Sequence, residues 1–255
     1  VHSGSHSIAV AFNASSRRVT LDVFNADGPL PEVLHLGPDR PLENKSGQEA
    51  LFTFAEVLLA STASHQAIQS LLKREPPRIK GLQPGQPLVA AGQDPVQAAV
   101  HCALHLDSSY LYVQGPPGAG KTYTGSHMIA ALLAQGRKVG VMSNSHKAIN
   151  HLMQGALKVA QEQGTRVRAV KKASDDPDTH LVAPGHDVVN VADNDKVLRQ
   201  GGNLIGGTAW FFSRLSHELD TLFVDEAGQV ALANLVACAG AARNLVLLGD
   251  QMQLG

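Results

Sequence analysis

From about residue 94 to the end of the chain, short continuous apolar runs alternate with segments whose apolar residues recur at helical spacing. Tyr110–Val113 and Val139–Met142 read as strands, as do Arg166–Val170, Val188–Val191, Leu204–Ile205, Leu222–Val224 and Leu245–Leu248. Between them, Met128, Ile129, Leu132 and Leu133 share a helix that starts at Lys121 and stops at Gly136. Ile149, Leu152, Met153 and Ala156 share another that stops at Gly164. Asp94-Pro95 opens an earlier helix, with Asp as cap and Pro in the first turn. Strands buried enough to be uniformly apolar, separated by helices, predict an α/β fold: a parallel sheet covered by helices on both faces.

The first 93 residues have a different pattern. SIAVAF and RRVTLDVF, within about residues 8 to 24, flank a polar NASS and predict a β-hairpin. Residues 25 to 46 are rich in Pro, Gly, Asp and Asn and read as loop. From Gly47 to Arg74 the spacing is helical, with Leu51, Phe54, Ala55 and Leu58 on one face and Ile68, Leu71 and Leu72 in a second stretch. Pro76 and Pro77 end it, and residues 75 to 93 read as a linker. The expected division is an accessory segment over 1–93 and a main domain over 94–255. The opening VHSGSHS and the stop at Gly255 suggest a piece of a longer protein.

Two segments of the main domain carry chemistry. Gly115 to Thr122 reads GPPGAGKT, the G-x-x-x-x-G-K-[ST] pattern, between a strand and a helix. Gly115, Gly118 and Gly120 let the backbone turn tightly and aim its N–H groups at an anion, and the helix start adds a partial positive charge. Lys121 would meet the β and γ phosphates and the Thr122 hydroxyl would ligate Mg²⁺. The nucleotide contacts expected are Gly115, Pro116, Pro117, Gly118, Ala119, Gly120, Lys121, Thr122 and Tyr123. Thr221 to Gly228 reads TLFVDEAG. Its strand delivers Asp225, a Mg²⁺ ligand, and Glu226, which would activate the attacking water, to the edge where ligands of such sheets gather. Leu247 to Gly255 reads LLGDQMQLG and brings Gln253 to the same edge as a γ-phosphate sensor; taken alone, it is also an ordinary strand-end turn.

Composition narrows the picture without redirecting it. With 44% hydrophobic and 17% charged residues, the chain can bury a real core. A net charge of −1 and 4% aromatics argue against a broad basic or stacking surface, so any nucleic-acid contact must be local. The two cysteines, Cys102 and Cys238, read as reduced thiols of a cytoplasmic protein, and the twelve histidines show no zinc spacing. No signal peptide or membrane-length apolar run is present.

Together the motifs resemble those of superfamily 1 helicases. GPPGAGKTYT is similar to their motif I, SNSHKAIN (Ser143–Asn150) to motif Ia, GGTAWFFSR (Gly206–Arg214) to motif Ic, VDEAGQ to motif II and GDQMQLG to motif III. The QLG ending resembles the branch that includes the nonsense-mediated-decay helicase. The nearest resemblance is to the helicase part of bacterial RecB-like nuclease/helicase fusions. It covers about residues 94 to 255.

The resemblance implies a RecA-like P-loop NTPase domain that hydrolyses ATP with Mg²⁺ to move on single-stranded DNA, RNA remaining open as the track. It implies catalytic roles for Lys121, Glu226 and Gln253, and adenine recognition by Gln97, which equally fits a helix cap after Asp94. Ser143, Asn144, His146 and Thr208 would face the nucleic-acid backbone, with helix capping by Ser143 or Ser145 as the other reading. Trp210, Phe211 and Phe212 are either core or include a stacking ring. A second RecA-like domain would complete the ATP site, and a nuclease domain would accompany it. Other readings left open are a P-loop switch or repair ATPase that unwinds nothing, and a nucleic-acid-binding module with little turnover.

Overall fold

A computed structural model describes residues 44–62, 64–83 and 85–250, with the backbone of two strands before them. Those strands, β1 (Ile8–Asn13) and β2 (Arg18–Val23), pair antiparallel, with Ile8 opposite Val23 and Asn13 opposite Arg18. The hairpin predicted from SIAVAF and RRVTLDVF is therefore present, while its NASS turn lies outside the described residues. Residues 1–43 form one compact unit and 44–255 a second.

In the second unit the order is α1 (Lys45–Leu59), α2 (Gln66–Leu72), α3 (Pro95–His105), β3 (Tyr110–Gln114), α4 (Lys121–Ala134), β4 (Val139–Met142) and α5 (His146–Glu162). Then come β5 (Arg168–Lys172), β6 (Asp187–Val191), α6 (Asn194–Val197), β7 (Leu204–Gly207), α7 (Ala209–Phe212), β8 (Leu219–Val224), α8 (Leu232–Ala239) and β9 (Ala242–Gly249). Seven strands form one sheet in the order β3-β9-β8-β4-β7-β5-β6, every pairing parallel. This is the α/β architecture that the alternating pattern predicts, with the sheet of a RecA-like P-loop domain.

Side chains of the central strands alternate between two cores, as a pleated strand requires. On one face Met142, Leu222, Val224, Leu245 and Leu247 pack with Phe211, Phe212, Val236 and Cys238. On the other Val139, Val141, Phe223, Val246 and Leu248 pack with Met128, Ile129, Leu132, Ile149 and Leu152. Burial on both faces explains why these strands lack polar alternation. Helix α4 approaches β9 so closely that a Cβ on Gly125 would lie 2.7 Å from Leu248 Cδ1.

Phe54 of α1 and Ala67 and Ile68 of α2 belong to the first core. These helices, read from the sequence as part of an accessory segment, pack in the same unit as the sheet. Asn44 caps α1 by accepting from Gly47 N at 2.9 Å. Among the described residues, no helix is long and apolar enough to cross a membrane.

Candidate nucleotide and nucleic-acid sites

Parallel strands all point their carboxyl ends at one edge, and the register determines what arrives there together. Gln114 lies opposite Gly249, Leu247 opposite Val224, Val224 opposite Met142, and Met142 opposite Gly207. The phosphate-type loop, the Asp225 turn, the Ser143 segment and Thr208 therefore share one rim. Strand β9 lies between β3 and β8, so Gly249 bridges the loop and the acidic turn. Gly115 N donates to Gly249 O at 3.3 Å, and a Cβ on Gly249 would lie 3.4 Å from Gly228 N.

In the loop, Gly118 and Gly120 have φ of +79° and +82°. Gly120 precedes α4, and its carbonyl accepts from Thr124 N at 2.8 Å. Nothing lies within 4 Å of a Cβ added there, so an alanine would be opposed by backbone strain alone. Gly120→Ala is expected to cost about 1–2 kcal/mol of stability and to tilt the loop's N–H groups. A denaturant titration beside a nucleotide-binding titration checks this; unchanged stability would show that the loop relaxes freely.

Lys121 folds over the loop, its ammonium donating to Gly115 O (2.6 Å) and Pro116 O (2.9 Å). Pro116, Pro117, Gly118, Ala119 and Gly120 are exposed, as a surface that receives a ligand must be. The hydroxyl of Thr122, partly buried, has no hydrogen-bond partner among the described residues. Tyr123 is exposed, its ring 4.2 Å from that of His127, which bonds back to Tyr123 O at 2.9 Å.

Asp94 caps α3 by accepting from Gln97 N at 2.8 Å. The Gln97 side chain is exposed and makes no hydrogen bond among the described residues. A cavity of about 280 Å³ beside the loop is lined by Val89, Pro95, Ala98, Tyr112, Ala119 and Thr124, among others.

Asp225 is buried, and burial raises its carboxyl above the ordinary carboxylate range, as does neighbouring Glu226. The Glu226 N–H, donating to Asp225 Oδ1 at 3.0 Å, pulls the other way, as do the nearby charges of His151 and Lys121. Glu226 itself has φ of +53°, unusual for a residue with a Cβ, and is only partly buried. Gln253 lies outside the described residues.

The Ser143–Asn150 segment is placed differently from the sequence expectation. Ser143 is fully buried, and its hydroxyl accepts from Ser145 N at 3.4 Å. Its side chain is turned inward in this structure and offers no surface contact. Ser145, not Ser143, caps α5, accepting from Ala148 N at 3.3 Å. Asn144 is exposed and donates to Gln229 O at 2.9 Å, joining this segment to the Asp225 turn. Thr208 is partly buried at the end of β7, its hydroxyl without a partner among the described residues.

His146 reveals a residue that the sequence reading missed. Lys171, at the end of β5, is fully buried, and its ammonium donates to His146 Nδ1 (2.8 Å) and Lys172 O (2.7 Å). An ammonium has no lone pair, so Nδ1 accepts and the imidazole proton sits on Nε2. Burial, then Lys171 and Lys172, lower the His146 pKa, Asp176 opposing them. Burial and Lys172 push Lys171 down to about 8. The only sequence signal was KK at a strand end, which reads equally well as a solvated tip.

The Lys171 charge therefore carries an uncompensated desolvation cost, and its sign is testable. Unfolded Lys171 keeps its proton to an ordinary 10.5, whereas the folded residue releases it near 8. The cost is full below pH 8 and fades as pH rises to 10.5. Lys171→Met is expected to raise stability at pH 7 by on the order of 2 kcal/mol, with little gain above pH 10. Denaturant unfolding at both pH values checks this; equal destabilisation at both would mean the buried charge costs nothing.

A parallel sheet with a glycine-rich phosphate loop and an acidic turn at its carboxyl rim defines a RecA-like P-loop ATPase domain. The chain belongs to the family described as AAA domain, whose model matches residues 92–255. Residues 115–122 lie within that match. The chain is 23% identical over 151 residues to the DNA replication ATP-dependent helicase/nuclease DNA2 of Saccharomyces cerevisiae, a match covering 57% of this chain and 10% of that protein. The match thus spans about a tenth of that relative's length.

Among solved structures it is similar to the arterivirus nonstructural protein 10 helicase, with 18% identity and a TM-score of 0.38, covering 62% of this chain and 31% of that one. It is also similar to a nuclease-deletion mutant of the Type ISP restriction-modification enzyme LlaGI, solved with a DNA substrate mimic. There the identity is 17% and the TM-score 0.44, covering 62% of this chain and 17% of that one. The superfamily 1 resemblance is in keeping with this family match and with the helicase/nuclease relative.

Proposed function

We propose that residues 94–255 are the first RecA-like domain of a helicase or translocase that couples ATP hydrolysis to movement on single-stranded DNA. The observation that carries this reading is the shared rim: the loop of Lys121, the Asp225–Glu226 turn, Asn144, His146 and Thr208 all lie at the carboxyl edge of one sheet. The Asn144–Gln229 hydrogen bond gives the strand-binding segment a direct grip on the acidic turn.

ATP would lie with its phosphates on the N–H groups of residues 115–122 and its adenine against the cavity near Val89 and Ala98, where the Gln97 amide can pair with the base edge. Lys121 would leave the Gly115 and Pro116 carbonyls for the β and γ phosphates. The Thr122 hydroxyl and the second oxygen of Asp225 have no hydrogen-bond partner among the described residues, which suits a hard cation. They would hold Mg²⁺, which would neutralise charge on the phosphate oxygens. Glu226 would orient water in line with the γ phosphorus and take its proton as the new P–O bond forms. The bond to the β-phosphate oxygen breaks, leaving ADP and phosphate. Gln253 would sense the γ phosphate.

On the strand side, Asn144, the Nε2–H of His146 and the free hydroxyl of Thr208 would hold backbone phosphates as neutral donors, which reconciles a nucleic-acid motor with a net charge of −1. Ser143 would act from below, fixing the turn that presents Asn144. A second RecA-like domain supplying an arginine, a nuclease domain and 5′ to 3′ movement belong to the same proposal. Within the accessory segment of residues 1–93, the helices would belong with the motor and the hairpin would form part of a barrel-like insert. Free, buried Cys102 and Cys238 are in keeping with the cytoplasm.

A tailed-duplex strand-displacement assay on the protein with its second domain tests the reading. ATP-dependent displacement supports a helicase; turnover without displacement from either tail favours a P-loop switch or repair ATPase.

A further inference from the structure

The run Trp210-Phe211-Phe212 divides sharply in its surroundings. Phe211 and Phe212 are 2% and 0% exposed, their rings 5.1 Å apart edge to face within the core below β7. Trp210 is 49% exposed. Its ring stacks on no other aromatic ring among the described residues, and its indole N–H donates no hydrogen bond there. The two phenylalanines do the packing, and the largest side chain of the three is left outside.

The backbone beneath it is well fixed. Phe212 N donates to Thr208 O and Ser213 N to Ala209 O. Ser213 Oγ bonds to Trp210 O at 3.3 Å and to Ser46 Oγ at 3.2 Å. Trp210 follows two residues after Thr208, and β7 ends level with β4 where Asn144 and His146 begin. The backbone that carries the exposed ring is therefore fixed close to the rim to which the single strand has been assigned.

We propose that Trp210 is a stacking platform for a nucleobase of the single strand crossing this rim. This rests on the strand-binding reading given above and adds to it the part that contacts bases. Asn144, His146 and Thr208 offer donors suited to phosphates, and the one ring among them, the His146 imidazole, is tied to buried Lys171. Every base has a π-face, so one exposed indole holds any sequence, as a motor that must move along any strand requires.

Trp210 is the only tryptophan of the 255 residues, so intrinsic emission reports this ring alone. The experiment is a titration with oligothymidylate, following tryptophan emission and, in parallel, the anisotropy of a fluorescein-labelled oligonucleotide. The expected result is quenching that saturates with the anisotropy curve. Trp210→Ala is expected to weaken binding roughly 5- to 100-fold, and Trp210→Phe to restore part of it. Because wild-type quenching needs no variant, a folding defect in Trp210→Ala would not decide the outcome. Binding by anisotropy with emission unchanged would overturn the stacking role and leave the strand-binding reading standing. No binding by either probe would overturn both.

Discussion

Replacing Lys121 with alanine is expected to lower ATP turnover by roughly 10²–10³-fold and to weaken ATP binding in the same titration. The argument is geometric. The ammonium already lies over the loop, 2.6 Å from Gly115 O and 2.9 Å from Pro116 O, so it is organised before any phosphate arrives. Moving it to the β and γ phosphates replaces two neutral acceptors with charged ones, and charge-assisted bonds are about twice as strong as neutral ones. Alanine removes that charge and leaves the helix start and the loop N–H groups to work alone. The loop itself is shaped by Gly118 and Gly120, so the variant should fold with wild-type stability. Turnover and affinity within a factor of two of wild type would mean that phosphates bind elsewhere.

Glu226→Gln is the second large effect, and it separates binding from chemistry. Glutamine keeps the shape of the side chain and removes the proton acceptor. Turnover is expected to fall by about 10²–10⁴-fold while ATP affinity stays near wild type. The backbone at Glu226 is in the left-handed region at φ +53°, a conformation that costs energy for any residue with a Cβ. That cost is in keeping with a side chain aimed by function rather than by packing. Presteady-state measurement of phosphate release beside equilibrium ATP binding would distinguish the roles. Loss of binding with the chemical step intact would reassign Glu226 to positioning of nucleotide or metal.

How much of this was legible in the sequence depended on how local each feature is. GPPGAGKT is readable because glycines at 118 and 120 encode the left-handed turns by themselves. The strands are readable because burial on both faces makes them uniformly apolar. Helix α8, LANLVACA, is apolar nearly all round, so it offers no period to detect. The order β3-β9-β8-β4-β7-β5-β6 depends on crossovers between distant segments and leaves no local trace.

The strand-binding residues show the same limit. Ser143 and Asn144 are adjacent polar residues after a strand, and sequence treats them alike. One is buried under the turn and the other exposed, both just past the end of β4 at Met142. Lys171 and Lys172 are adjacent and chemically alike in the sequence, yet the pleat sends Lys171 inward to His146. Among Trp210, Phe211 and Phe212, only packing decides which ring is left out.

The most direct test of the account is the rate of ATP hydrolysis with and without oligothymidylate, measured on this chain extended through the proposed second RecA-like domain and on the Lys121→Ala variant of the same protein. The account predicts hydrolysis that single-stranded DNA stimulates and that Lys121→Ala abolishes. Single-strand-stimulated turnover that survives the loss of Lys121, or turnover indifferent to the strand, would contradict it.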